Sequence, residues 1–162
     1  MEGKHGDHAG GHAHAGSHHA HMAGDFRKRF IICAILTIPI LVLSPMIQEW
    51  TGISVSFEGD GLVLFALSSI VFFYGGYPFY SGLVREIRKR QPGMMTLIGV
   101  AIIVAYTYSS IALFSVLGIT GKIFYWELAT LVDIMLLGHW IEMRSVMGAS
   151  RALEELARLL PS

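Results

Sequence analysis

Seven of the eight histidines in this chain fall between Met1 and Met22: His5, His8, His12, His14, His18, His19 and His21, with the Met22 thioether directly after them. Neutral imidazole is a ligand for copper, zinc and nickel, and a thioether is a ligand for monovalent copper. The spacing is irregular, and nearly everything between is Gly, Ala, Ser or a charge. Such a segment buries too little apolar surface to offset its ordering entropy. Residues 1–25 therefore read as a disordered tail that can gather several imidazoles around one ion. The broken spacing argues against a purification tag, and a low-complexity tail with no metal role is the competing reading.

A second set of reactive groups sits in an apolar stretch, residues 123–147: Glu127, Asp133, His139 and Glu142. A carboxylate at membrane depth is costly unless paired or hydrated, which makes it a functional candidate. Glu127 and Glu142 are fifteen residues apart, within roughly 60° of one another around a helix at about 100° per residue. Asp133 lies on a different face, where a hydrogen bond to a neighbouring helix and a place on an ion path are both open. His139, as a lone histidine, reads as a packing or hydrogen-bonding group. The single cysteine, Cys33, lies in an apolar run and forms neither a disulfide framework nor a CxxC metal loop.

The elements that would position these groups are membrane helices. Of the 162 residues 53% are apolar and only 15% are charged, against about 25% charged in soluble domains, and the mean hydropathy is +0.55. A net charge of +0 implies no nucleic-acid partner. Residues 26–148 read as a transmembrane region with about four spans, near 28–48, 61–80, 94–117 and 123–147, each close to the 20 residues a bilayer requires. The first run follows Arg27, Lys28 and Arg29, as a signal peptide would, but it is too long for the apolar core of one and has no A-x-A site after it, so it reads as a retained anchor. It contains Pro39, where a kink is expected. Gly75-Gly76 and Pro78 interrupt the second run, and a sharp bend there is expected to start an amphipathic interfacial platform over 79–91, carrying Arg85, Arg88 and Lys89. Residues 149–162 read as a helical linker with Arg151/Glu155 and Glu154/Arg158 pairs.

Basic residues cluster before run one, after run two and at the end of run four, while the two opposite loops hold only Lys122. Four spans with both termini cytoplasmic satisfy this pattern. That topology brings Met94, Glu142 and the Gly75-Gly76 bend to one cytoplasmic face. A thioether, a carboxylate and a basic platform there suit cation entry, although methionine is also a common gap filler.

With these residues the chain resembles the copper- and silver-exporting branch of the heavy-metal P-type ATPases, in particular the CopB-like exporters with histidine-rich N-termini. The matching stretches are the His tail, Gly75-Gly76, PGMMTLI at Pro92 to Ile98, YWELATLVDIMLLGHWIEMRS at Tyr125 to Ser145, and GASRALEELARLLPS at Gly148 to Ser162, which looks like a linker toward an actuator domain. The resemblance implies an all-α membrane protein of a prokaryotic plasma membrane. It implies metal entry at Met94 and Glu142, an exit path at Glu127, and a platform that receives Cu⁺ or Ag⁺, free or from a metal-delivering donor. The His tail would then be regulatory.

The family's phosphorylation motif DKTGT, its TGE loop and its Cys-Pro-His metal motif do not occur in these 162 residues. ATP and Mg²⁺ would act only through further cytoplasmic domains. The sequence is therefore expected to be the membrane part of an exporter, either a piece of a longer pump or a shortened product. A standalone membrane protein that buffers metal through its tail is the alternative.

Overall fold

The computed structural model describes residues 11–55, 57–114 and 121–159, with side chains from His21 onward. Among the described residues the chain is all helix and turn, with no strand. The elements are α1 (Gly11–Leu43), α2 (Pro45–Thr51), α3 (Asp60–Ile70), a π-helical turn at Val71–Gly75, α4 (Gly76–Arg88), α5 (Met94–Phe114) and α6 (Tyr125–Leu159).

Asp60–Arg88 and Met94–Phe114 are long and apolar enough to cross a membrane, and a third span results if the bent pair His21–Leu43 and Pro45–Thr51 counts as one. Among the described residues the expected four spans thus become two or three by length and composition. α6 has the length, but Glu127, Asp133, His139 and Glu142 dilute its apolar character. Large apolar side chains on the outside, such as Ile35, Ile38, Leu97 and Val104, make a surface suited to lipid rather than water.

Three local expectations are corrected. α1 begins at Gly11, so residues 11–25 are helical rather than disordered; they extend a helix already nucleated by the apolar run, and extension costs far less than nucleation. His5 and His8 lie outside the described residues, as does most of the turn expected at Gly118 to Lys122. α1 also runs through Pro39. The bend, 66°, falls instead at Ser44, which is extended (ψ 123°) ahead of Pro45. The ring of a proline disfavours helical backbone in the residue before it and suits the first position of a new helix.

Finally, Gly75-Gly76 does not break the second run. Asp60–Arg88 continues as one helix whose register slips through the π-helical turn. α4 ends in a Schellman turn: Arg90 N–H bonds to the Ile87 carbonyl at 3.0 Å and Gln91 N–H to the Glu86 carbonyl at 3.1 Å. Arg90, at φ 53°, occupies the left-handed position usually given to glycine.

The chain divides into two compact units: Arg29–Leu136, and the ends of the chain from Lys28 backward and Leu137 onward. Within Arg29–Leu136 the core joins Cys33 and Ile40 of α1, Leu64 and Val71, Phe79, Ile102, and Tyr125, Leu128, Val132 and Leu136 of α6, all at most 2% exposed. Tyr106 stacks on Phe72 at 4.0 Å, and its hydroxyl meets Ser69 Oγ at 2.8 Å. The remaining hydroxyls mostly bond to their own helix: Thr107 to the Ile103 carbonyl, Ser110 to that of Tyr106, and Thr130 to that of Trp126. This satisfies them without water. In the other unit Phe26 stacks on His139 at 5.6 Å, and the Arg27 guanidinium lies 6.0 Å from the Trp140 ring centroid.

At Gly75 side chains of α1 and α6 pack against the π-helical turn. A β-carbon there would stand 2.6 Å from Cys33 Sγ and 2.7 Å from Val132 Cγ1. Gly75→Ala is therefore expected to destabilise the chain by about 1–3 kcal/mol through overpacking, less the roughly 1 kcal/mol gained in helix propensity. Gly138→Ala, where no atom lies within 4 Å, should raise stability by about 0.5–1 kcal/mol. Thermal unfolding of both variants in detergent, followed by circular dichroism, checks the contrast; equal effects would show that Gly75 is not a packing requirement.

Candidate metal-entry region

Met94 is the first residue of α5 and its side chain is 61% exposed. Beside it in sequence, the end of α4 presents Arg85, Arg88 and Lys89, all exposed. The inner face of α4 packs closely on α5: a β-carbon at Gly82 would meet Met95 Cγ at 2.8 Å, and one at Gly99 would meet Leu83 Cδ1 at 2.6 Å. This packing turns Phe79 and Leu83 inward. Tyr77, Val84 and Ile87 stay exposed with the basic residues, so the outward face of the platform is mixed apolar and basic.

What holds this platform begins with Pro78. Proline has no backbone N–H, so the carbonyl of Tyr74, four residues earlier, loses its helical donor. Arg29 supplies a replacement, donating from Nη1 to the Tyr74 carbonyl at 2.5 Å. Its guanidinium also lies 4.7 Å from the Tyr74 ring centroid and 5.5 Å from that of Tyr77, close enough for cation–π attraction. The Tyr80 hydroxyl reaches the Phe72 carbonyl at 3.1 Å on the same irregular turn.

Asp133 lies half-buried on α6 one residue from Val132; the Thr37 hydroxyl of α1 donates to the Cys33 carbonyl at 2.9 Å. One Asp133 oxygen, Oδ1, is buried without a partner. Glu127, in the first turn of α6, likewise has one buried oxygen without a partner, Oε2. A cavity of about 590 Å³ lies near that end, lined by Pro45, Met46, Glu49, Ala112, Lys122 and Ile123. Ala112 is eighteen residues along α5 from Met94, about 27 Å at 1.5 Å per residue.

Glu142 is exposed, and His139 is buried and stacked on Phe26. Met94 belongs to one unit and Glu142 to the other. His12, His14, His18 and His19 lie on α1, and of the tail residues expected to bind metal only His21 and Met22 have described side chains, both exposed. Among the described residues no three His, Cys, Asp or Glu side chains converge on a common point.

No family model matches the sequence, and no solved structure matches it. Curated relatives do. A copper-exporting P-type ATPase B from Archaeoglobus fulgidus is 64% identical over 141 residues, 87% of this chain and 20% of the relative. Over most of its length the chain is similar to one part of the copper-exporting P-type ATPases of type B. A probable copper-transporting P-type ATPase B from Staphylococcus aureus is 48% identical over 86% of the chain, and a copper-exporting P-type ATPase B from Enterococcus hirae is 47% identical over 87%. The chain spans about a fifth of the length of these relatives. That short match is consistent with a membrane portion of such an ATPase without the ATP-hydrolysing domains.

Two residues absent from the sequence-based site prove central to its geometry: Arg29 and Glu86. Both answer backbone deficits that are visible in sequence, the missing N–H of Pro78 and the missing side chain of Gly93.

Arg29→Ala should destabilise the chain by about 1–3 kcal/mol, since it strands a half-buried carbonyl. In a Pro78→Ala background, where residue 78 regains its N–H, the same change should cost distinctly less. Denaturation in detergent of the four variants tests this; equal costs in both backgrounds would mean that Arg29 acts by another route.

Proposed function

We propose that the chain forms the cytoplasmic metal-entry region of a copper exporter in a prokaryotic plasma membrane. Both termini face the cytoplasm, and α6 crosses the bilayer beside the more apolar helices. Cu⁺, or Ag⁺ of the same charge and softness, arrives at the basic platform, free or from a metal-delivering donor. It enters by way of Met94 and of Glu142 and leaves by way of Glu127. The remaining helices and cytoplasmic domains of the whole exporter would supply ATP hydrolysis with Mg²⁺. The observation that supports this reading best is the exposed Met94 thioether at the start of α5, next to the exposed basic end of α4. A thioether selects soft monovalent copper over the hard cations of the cytoplasm.

The carboxylate at Glu142 fits the same role, because a monovalent soft ion gains from an anionic ligand. Asp133, half-buried with Oδ1 unpartnered, would face a group from the rest of the transmembrane bundle or stand on the ion path.

In an exporter carrying this sequence, Met94→Ala and Glu142→Ala should each reduce metal-stimulated ATP turnover at least tenfold, a loss of about 1.4 kcal/mol or more. Near-normal turnover in either variant would remove that residue from entry.

A second reading is favoured by the seven histidines of the first 22 residues: the tail stores or senses metal. Deleting Met1–Gly24 should then lower the number of Cu²⁺ ions bound per chain, measured by equilibrium dialysis, while leaving Met94-dependent turnover in place. Unchanged stoichiometry would leave the tail without a metal role.

A further inference from the structure

α5 starts with a deficit. The first backbone N–H groups of a helix have no partner within it, and the residue at the cap usually covers one of them with a side-chain oxygen. Here the cap position is Gly93, which has no side chain. The Glu86 carboxylate, from the last turn of α4, takes over that task from a different helix. Oε2 accepts from Gly93 N–H at 2.8 Å, from Thr96 N–H at 2.8 Å and from the Thr96 hydroxyl at 2.6 Å, and Oε1 accepts a longer bond, 3.4 Å, from Met95 N–H. Gly93 also makes the approach feasible, since a β-carbon there would stand 2.9 Å from Oε1. The backbone carbonyl of the same Glu86 closes the Schellman turn that ends α4.

Met94 therefore sits between two residues, Gly93 and Met95, whose N–H groups one carboxylate holds, while its own side chain stays exposed. We propose that Glu86 is a positioning residue for the Met94 thioether: it fixes the start of α5 against the platform and sets the charge seen by a cation at Met94. This rests on the entry reading given above. The charge matters as much as the position. A helix N-terminus carries roughly half a positive charge, which would oppose a cation approaching Met94. Glu86 is the anion that offsets it. Its oxygens are taken up by N–H and hydroxyl donors, so it serves the metal without ligating it.

The test uses the whole 162-residue chain in lipid nanodiscs, with ¹³C-methyl-labelled methionine and Ag⁺ as the probe. Methyl resonances report each thioether separately, so the tail does not mask Met94, and Met94→Ala assigns its signal. In the unsubstituted chain the Met94 methyl should shift as Ag⁺ is added. In Glu86→Gln, which keeps the shape and removes the charge, the midpoint of that shift should move to at least fivefold higher Ag⁺, while Met22 titrates as before. Glu86→Asp should fall between the two.

A Met94 methyl that ignores Ag⁺ in the unsubstituted chain would sink the entry reading, and this inference with it. A Met94 midpoint unchanged by Glu86→Gln would sink the inference alone. Should Glu86→Gln lose its helical circular dichroism, Thr96→Val removes only the hydroxyl donor and leaves the carboxylate. It should shift the midpoint about twofold, and no shift in that folded variant would equally overturn the proposal.

Discussion

One carbonyl oxygen, that of Tyr74, organises the platform end of this chain. In lipid, backbone groups have no water to fall back on, and each must find a partner within the protein. Pro78 removes the donor that the Tyr74 carbonyl would have used, and the helix answers by slipping into a π-helical turn at Val71–Gly75 and by borrowing the guanidinium of Arg29. The borrowed donor ties α1 to the second span just before the platform begins. Direction, packing and charge distribution of α4 all follow from that attachment, because the next residues have to leave the turn with Gly75 and Gly76 buried and Tyr77 outside.

The same economy recurs at the α4–α5 turn. A proline and a glycine, Pro92 and Gly93, end one helix and begin another without a capping side chain of their own. A carboxylate from the preceding helix fills the gap. In both places the chain breaks a local rule of helix formation and repairs it with a charged group from elsewhere. Repairs of this kind fix orientation more strictly than an uninterrupted helix would, because a charged hydrogen bond tolerates little displacement.

Much of this was legible in the sequence. Apolar runs, their approximate limits at Gly61, Met94 and Ile123, and the helical character of the whole followed from length and hydropathy alone. So did the polar groups of α6, since a carboxylate in an apolar run is conspicuous. The form of the irregularities was not legible. Gly75-Gly76 permits both a sharp bend and a slip of register, and the choice depends on what packs there: Cys33 and Val132 press against Gly75 from two sides and keep the helix running. Pro39 and Pro45 look alike in sequence, yet only the second coincides with an extended residue, Ser44. In sequence Arg29 marks orientation and Glu86 is one acidic residue on a basic helix, yet both act through backbone atoms that a pattern of side chains does not display.

The close fit at Gly75 has a consequence for redox chemistry. Cys33, the chain's one thiol, is fully buried where the absent side chain lets the π-helical turn come down on it. A thiol at the surface would be open to oxidation and to soft metal ions. Sealed by backbone on one side and Val132 on the other, the sulfur is a packing atom.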